Sequence, residues 1–181
     1  MHRLAQIRIA PQRSPASVDI DRFANLYRSH VPRVYGFMRH FARNHFEAED
    51  LTADAFERAL RYFHSFDPTK GEFMTWLFTI SMNVVKRRGR SKDLSQVESP
   101  PDLEDVGLTS PSLEENYLKA DERRRLGEAL AALPERRFRI VALKFGGGLT
   151  NREIAQVTGL SESNVGSMLS RSLKNIGRAL T

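Results

Sequence analysis

Between residues 150 and 178 small, glycine and apolar side chains recur in a register that leaves the chain few ways to fold. With Asn151 as position one, Ala155 is the fifth residue, where two helices cross closely only over a small side chain. Gly159 is the ninth, where a tight turn needs a positive φ that glycine adopts without strain. Ile154, Leu160 and Val165 fall where the two helices meet. Thr150 with Glu153 three residues on makes a capping-box pair, and Ser161 is placed to cap the second helix. This register predicts a helix-turn-helix; an ordinary helical hairpin has no need of it. The second helix of such a motif enters the major groove of duplex DNA. Ser163, Asn164, Ser167, Arg171 and Lys174 are its exposed candidates, with Arg152 and Arg178 placed for phosphate. Asparagine pairs bidentately with adenine and arginine with guanine, each worth about 1–3 kcal/mol of discrimination.

Charge points to the same class of partner. The 181 residues carry a formal net charge of +6, which favours a polyanion. Residues 1–92 hold 16 Lys/Arg against 9 Asp/Glu, and residues 117–181 hold 12 against 6. Residues 93–116 hold 7 acids and no Lys or Arg. Two basic blocks therefore flank an acidic strap. The strap is rich in Ser and Pro, with Pro100, Pro101 and Pro111 opposing helix, and reads as a linker between two small domains. The absence of cysteine excludes disulfides and thiolate metal sites. No apolar run approaches the roughly 20 residues of a membrane span. Residues 1–18 read as a disordered basic tail, with an organelle transit peptide as the other reading.

Strand signals are nearly absent and helical periodicity is nearly everywhere. The predicted fold is all-α, with helical domains over residues 19–92 and 117–181 joined by the linker 93–116. Phe23, Leu26 and Tyr27 begin an apolar stripe behind a cap at Asp19 or Asp21. Pro32 is expected to kink or restart that helix before Val34, Tyr35, Met38 and Phe41 continue the stripe. A second helix is expected over about residues 47–63, with Leu51, Ala55, Phe56, Ala59, Leu60 and Phe63 at helical spacing. Residues 65–71 read as a loop in which Asp67 bonds its own backbone. A third helix carries Phe73, Leu77, Ile80 and Val84 on one face and ends in the basic run from Lys86 to Lys92. In the second domain Leu126, Ala129, Leu130 and Leu133 form a stripe, and Pro134 restarts the chain. Phe138, Ile140, Val141 and Phe145 continue the stripe until Gly146-Gly147-Gly148 ends it.

Between Tyr62 and Lys92 aromatic and basic residues are interleaved. Phe73 and Leu77 are expected inside; Trp76 and Phe66 are the rings expected outside. Exposed rings beside positive charge suit single-stranded nucleic acid, since a base stacked on a ring is worth roughly 1–3 kcal/mol. A solvated basic face accounts for the same residues. Glu47, Glu49, Asp50, Asp54 and Glu57 concentrate acid on one helix, and Asp50, Asp54 and Glu57 share a face. That face reads as a docking or solvated surface rather than a catalytic site. The five histidines lack metal-ligand spacing.

Taken together, these motifs resemble a known family. Ala48-Glu49-Asp50-Leu51, Asp54-Ala55-Phe56 and the run Phe73-Met74-Thr75-Trp76-Leu77-Phe78-Thr79-Ile80 ending at Asn83 resemble region two of bacterial sigma factors. The stretch from Leu126 to Pro134 and the helix-turn-helix through Leu173 resemble region four. With the short linker, the order resembles the extracytoplasmic-function (ECF) sigma factors over about residues 19–180. The resemblance implies a subunit that binds core RNA polymerase, directs it to promoters and helps melt them. It implies that Glu49, Asp50, Leu51, Asp54 and Glu57 dock on the polymerase clamp. Arg61, Phe66, Asp67, Lys70, Trp76, Asn83, Lys86, Arg87 and Arg90 would then hold the opened minus-ten strand. Arg152, Ser163, Asn164, Ser167, Arg171 and Lys174 would read the minus-thirty-five element. No catalytic site, metal or cofactor is implied. The expected setting is the bacterial cytoplasm, as a monomer when free and under the control of an anti-sigma factor.

Departures from the family pattern carry their own expectations. Val84-Val85-Lys86-Arg87 lacks the aspartate that usually follows the position of Asn83. Gly166 and Met168 stand where the family usually has bases, which predicts about two fewer phosphate contacts and a flatter salt dependence. The run Gly146-Gly147-Gly148 is expected to loosen the helix before the motif. A dimeric helix-turn-helix regulator is the rival reading, and it requires a palindromic site bound without polymerase.

Overall fold

Helical periodicity becomes seven α-helices and no strand among the residues that the computed structural model describes, 15–88 and 113–180. α1 (Pro15–Arg39) starts ahead of the expected aspartate cap, on a proline, which a first turn tolerates because its missing N–H would be unbonded there anyway. It continues through Pro32 as one helix, with no restart. An internal proline costs about 3 kcal/mol or more. Val34, Phe37 and Met38 are completely buried just beyond it, each worth about 1.5–3 kcal/mol. Burial outweighs the proline, and Pro32 itself faces solvent.

α2 (His45–Arg61) starts earlier than periodicity suggested because Asn44 caps it, accepting the Glu47 N–H on Oδ1 at 2.9 Å. It ends before Phe63, which opens a 3-10 turn over Phe63–Ser65, and Leu60 is exposed rather than part of the stripe. α3 (Phe73–Arg88) has Phe73, Met74, Leu77, Phe78, Met82, Val84 and Val85 buried around most of its circumference. It packs on α1 and α2 and also on the second domain's α6, so one apolar stripe would not suffice.

α4 (Leu113–Ala131) makes the last four residues of the expected linker helical. The rest of that linker, the basic tail up to residue 14, and Arg90 lie outside the described residues. Leu126 is exposed, unlike Ala129 and Leu133, because residues 122–128 of α4 face solvent and burial sets in from Ala129. α5 (Glu135–Val141) runs into a π-turn over Ala142–Gly146. The extra residue per turn rotates Phe145 off the stripe and into solvent, while Phe138 and Ile140–Leu143 stay buried. α6 (Asn151–Thr158) and α7 (Glu162–Leu180) complete the chain.

The glycine run does the opposite of loosening. Gly146 lies so close to Gly36 of α1 that a Cβ on Gly36 would sit 2.5 Å from the Gly146 carbonyl oxygen. Arg33 donates from Nε to the Gly147 carbonyl at 3.0 Å and from its terminal nitrogen to the Gly148 carbonyl at 2.8 Å. Phe41 meets Phe138 edge to face at 5.3 Å. The two domains therefore share one apolar core.

His40 lies in this shared region, bonded through Nδ1 to the Gly36 carbonyl at 2.9 Å and edge to face with Phe138. Burial, helped by the charge of Arg39 and opposed by the carbonyls of Gly36 and Phe37, lowers its pKa below the ordinary 6.5. The unfolded chain therefore binds the proton more readily. The stability from the neutral ring is present above about pH 6.5 and is lost as pH falls from there toward the lower folded value. Urea midpoints at pH 7.5 and 5.5 are expected to differ less for His40→Gln than for the wild type. An equal difference would show that His40 does not titrate across folding.

Candidate nucleic-acid interface

The helix-turn-helix is built as its local residues dictate. Thr150 N–H donates to Glu153 Oε2 at 2.6 Å while Glu153 N–H donates to Thr150 Oγ1 at 3.2 Å, a complete capping box. Gly159 closes α6 with φ +72°. Ser161 Oγ accepts the Asn164 N–H at 3.2 Å and starts α7. Ile154 and Val165 are completely buried between the helices, with Ala155 and Leu160 half-buried beside them.

α7 buries Val165, Leu169, Ser172 and Ile176 and so turns its opposite face outward. Ser163, Asn164, Ser167, Arg171 and Lys174 are all exposed, as is Arg152 on α6. Successive residues of an α-helix rotate by about 100°. Ser163, Ser167, Lys174 and Arg178 thus form the centre of one strip, with Arg171 and Asn164 at its edge. Gly166 and Met168 flank the buried face, and Met168 packs on the core.

The first domain presents two further surfaces. On α2, Glu49, Asp50 and Glu57 are exposed and Asp54 is half-exposed, whereas Leu51 is buried and anchors the helix instead of facing a partner. Several of these acids are already engaged along the helix: Asp54 with Arg58 at 2.6 Å, Glu57 with Arg61 at 2.7 Å, and Glu49 with His45 at 3.1 Å. Arg61 thus sits on the acidic face, apart from the residues it was grouped with. Exposed i,i+4 pairs contribute only about 0.3–0.5 kcal/mol, so a competing partner displaces them readily.

The second surface gathers around the loop before α3. Asp67 Oδ1 accepts the Thr69 hydroxyl at 2.7 Å and the Thr69 N–H at 3.0 Å, which hold its carboxyl below the usual range and fix the turn. Lys70 Nζ lies 3.5 Å from Asp67 Oδ2. Asp67 is therefore the brace of this loop. Phe66 and Trp76 are half-buried rather than standing free. They pack on each other at 5.4 Å, and each on Phe73, at 5.4 and 5.6 Å. Together with Phe63 they form an aromatic wall, over which the Arg22 guanidinium lies 5.6 Å from the Phe63 ring and 5.9 Å from the Phe66 ring. Sequence reasoning missed Arg22, which lies more than 40 residues from the rings it covers. From Trp76 the exposed side of α3 continues through Thr79, Asn83, Lys86 and Arg87. Among the described residues no group of three His, Cys, Asp or Glu is placed to hold a metal ion, and no helix is long and apolar enough to cross a membrane.

Comparison with known proteins agrees with this arrangement. Residues 26–94 match the family model for sigma-70 region 2, and residues 123–176 match that for sigma-70 region 4. The ECF RNA polymerase sigma factor RpoE of Cereibacter sphaeroides is 31% identical over 157 residues, covering 85% of this chain and 83% of the relative. SigK of Mycobacterium ulcerans, also an ECF sigma factor, is 29% identical over 161 residues, covering 88% and 86%. Among solved structures, CnrH in complex with the cytosolic domain of CnrY superposes with a TM-score of 0.66 at 22% identity, covering 91% of each chain. RpoE from Bartonella quintana in complex with the anti-sigma factor NepR superposes with a TM-score of 0.64 at 20% identity, covering 88% of this chain and 97% of that one.

Gly166 is half-buried in α7, and a Cβ there would meet only Asn151 Nδ2 at 3.7 Å, an ordinary contact. Glycine in a helix interior costs up to about 1 kcal/mol relative to alanine. Gly166→Ala is accordingly expected to raise the melting temperature by about 2–4 °C in calorimetry. A lowered melting temperature would mean that α7 approaches Asn151 more tightly than this.

Proposed function

The chain belongs to the ECF sigma factors of bacterial RNA polymerase, and from that premise we propose how its two domains divide the work of initiation. Its family consists of transcription-initiation factors. The chain is a dissociable subunit that directs core polymerase to a set of promoters and promotes their melting, with the bond-making chemistry left to the polymerase. It works in the cytoplasm.

The acidic face of α2, with Glu49, Asp50, Asp54 and Glu57, docks on a basic surface of the core enzyme by exchanging its weak local pairs for intermolecular ones. The α7 strip, with Ser163, Asn164, Ser167, Arg171 and Lys174, reads the minus-thirty-five duplex, while Arg152 and Arg178 hold phosphate. The aromatic wall and the adjoining face of α3, with Phe66, Trp76, Asn83, Lys86 and Arg87, hold the opened minus-ten strand; Lys70 flanks the loop that Asp67 braces. Unstacking a base costs a few kcal/mol, and stacking on a ring returns a comparable amount. The single observation that carries this reading is the presence, on one chain, of a duplex-reading strip and a separate aromatic wall bordered by cations. One of the structural relatives was solved with an anti-sigma factor, and a protein inhibitor of the same kind is proposed here.

Two substitutions in reconstituted holoenzyme test the division. Trp76→Ala is expected to slow open-complex formation and to be rescued on a template melted beforehand over the minus-ten region. Failure of that rescue would assign Trp76 to packing alone. Arg171→Ala is expected to reduce discrimination at the minus-thirty-five element by about 1–3 kcal/mol, or roughly 5- to 150-fold, with core affinity unchanged. Weakened core binding would contradict the assignment of α7 to DNA.

A further inference from the structure

Arg22 meets the aromatic wall from α1, and its side chain is the part of that contact which packing does not require. Its neighbour Phe23 is buried, edge to face against Phe63 at 5.2 Å and against Phe73 at 6.5 Å, so α1 is fixed at this turn without it. The rings hold one another as well. Phe63 stacks on Phe66 at 6.2 Å, and Phe66 meets Phe73 and Trp76, each at 5.4 Å. Arg22 itself is exposed, its guanidinium 5.6 Å from the Phe63 ring and 5.9 Å from the Phe66 ring. It forms no ion pair with a described carboxylate. Other cations of this region are engaged: Arg58 with Asp54, Arg61 with Glu57 and Lys70 with Asp67. A cation over a ring at an exposed site is weakly held. The Arg22 guanidinium is therefore available to an anionic partner that reaches the wall.

We propose that Arg22 holds the backbone of the opened minus-ten strand, bonding the phosphate beside the base that stacks on the wall. The proposal rests on the reading of that wall as the single-strand site. A nucleotide lying on Phe66 and Trp76 carries its phosphate beyond the edge of its base, toward the rim where the guanidinium stands. Arginine suits this place for two reasons. Its planar head lies against a ring while the strand is absent, and its fork of donors takes two phosphate oxygens when the strand arrives. Lysine would keep the charge and lose the fork. From α3 the wall is bordered by Asn83, Lys86 and Arg87, all exposed. The strand is thus held by cations from two helices, α1 and α3, with the rings between them. Backbone contacts position a strand and carry no sequence information, so Arg22 adds affinity here without choosing the base.

Holoenzyme reconstituted from the full-length chain tests this on two templates. One is a fork, a duplex promoter fragment whose non-template minus-ten strand is left single; the other is the same duplex trimmed of that strand. Arg22→Ala is expected to bind the fork roughly tenfold more weakly than the wild type. Its logarithmic salt dependence is expected to be shallower by about 0.7, the share of one phosphate on a single strand. Both losses are expected to be alike on forks with altered minus-ten bases and absent on the trimmed duplex. Arg22→Lys is expected to restore the slope and only part of the affinity. A salt slope unchanged in Arg22→Ala would overturn the proposal. So would an equal loss on the trimmed duplex, which would place Arg22 in the fold or in core binding. If Trp76→Ala left open-complex formation at the wild-type rate, the reading of the wall itself would fail. The two templates would still decide whether Arg22 touches the strand.

Discussion

Phe37 and Phe78 meet edge to face at 5.5 Å near the middle of the molecule, and both are completely buried. The contact joins α1 to α3, and Phe78 is also the ring that lies against Gly147. A single side chain thus fixes α3 relative to its own domain and to the turn that leads into the helix-turn-helix. Truncating a buried phenylalanine costs about 3–5 kcal/mol, a large share of the 5–15 kcal/mol that stabilises an ordinary domain. The exposed side of α3, from Trp76 to Arg87, can be held in one orientation because its opposite side is locked in this way.

The surfaces differ in how firmly they are held, and the difference suits the tasks proposed for them. The recognition strip stands on a helix with a capped start and a glycine-closed turn before it, which gives the near-rigid placement that base-edge contacts require. Phe63 and Phe73 of the aromatic wall are buried and Phe66 and Trp76 half-buried, so the rings keep their positions while part of Phe66 and Trp76 stays exposed. The acidic face of α2 is held by ion pairs of tenths of a kcal/mol and is free to exchange partners.

Legibility in the sequence followed the range of the interactions. Thr150, Glu153, Gly159 and Ser161 act on neighbours within four residues, so the helix-turn-helix could be read residue by residue. The all-helical class and the buried positions of Phe73 and Leu77 were legible from periodicity. The restart expected at Pro32 does not occur because the burial that outweighs the proline comes from helices distant in the chain. Leu126 and Phe145 fit the apolar stripe, yet one lacks a covering neighbour and the other is displaced by a π-turn that no local pattern announced. Leu51 belongs to a recognisable motif but supports it from beneath. The glycine run reads locally as slack because its partners, Arg33 and Gly36, lie more than 100 residues away. Trp76 and Phe66, expected outside, are the more exposed rings of the wall but only half so, because they pack on each other across the loop that joins them.

Both domains serve one polymerase-dependent act in the function proposed, where a free-standing DNA reader would need only the second. Reconstitution with bacterial core polymerase on a pool of genomic fragments tests it most directly. Discrete promoter-specific transcripts are expected only when this chain and core enzyme are both present. Absence of such transcripts, with the isolated chain instead footprinting a palindromic duplex site, would contradict it.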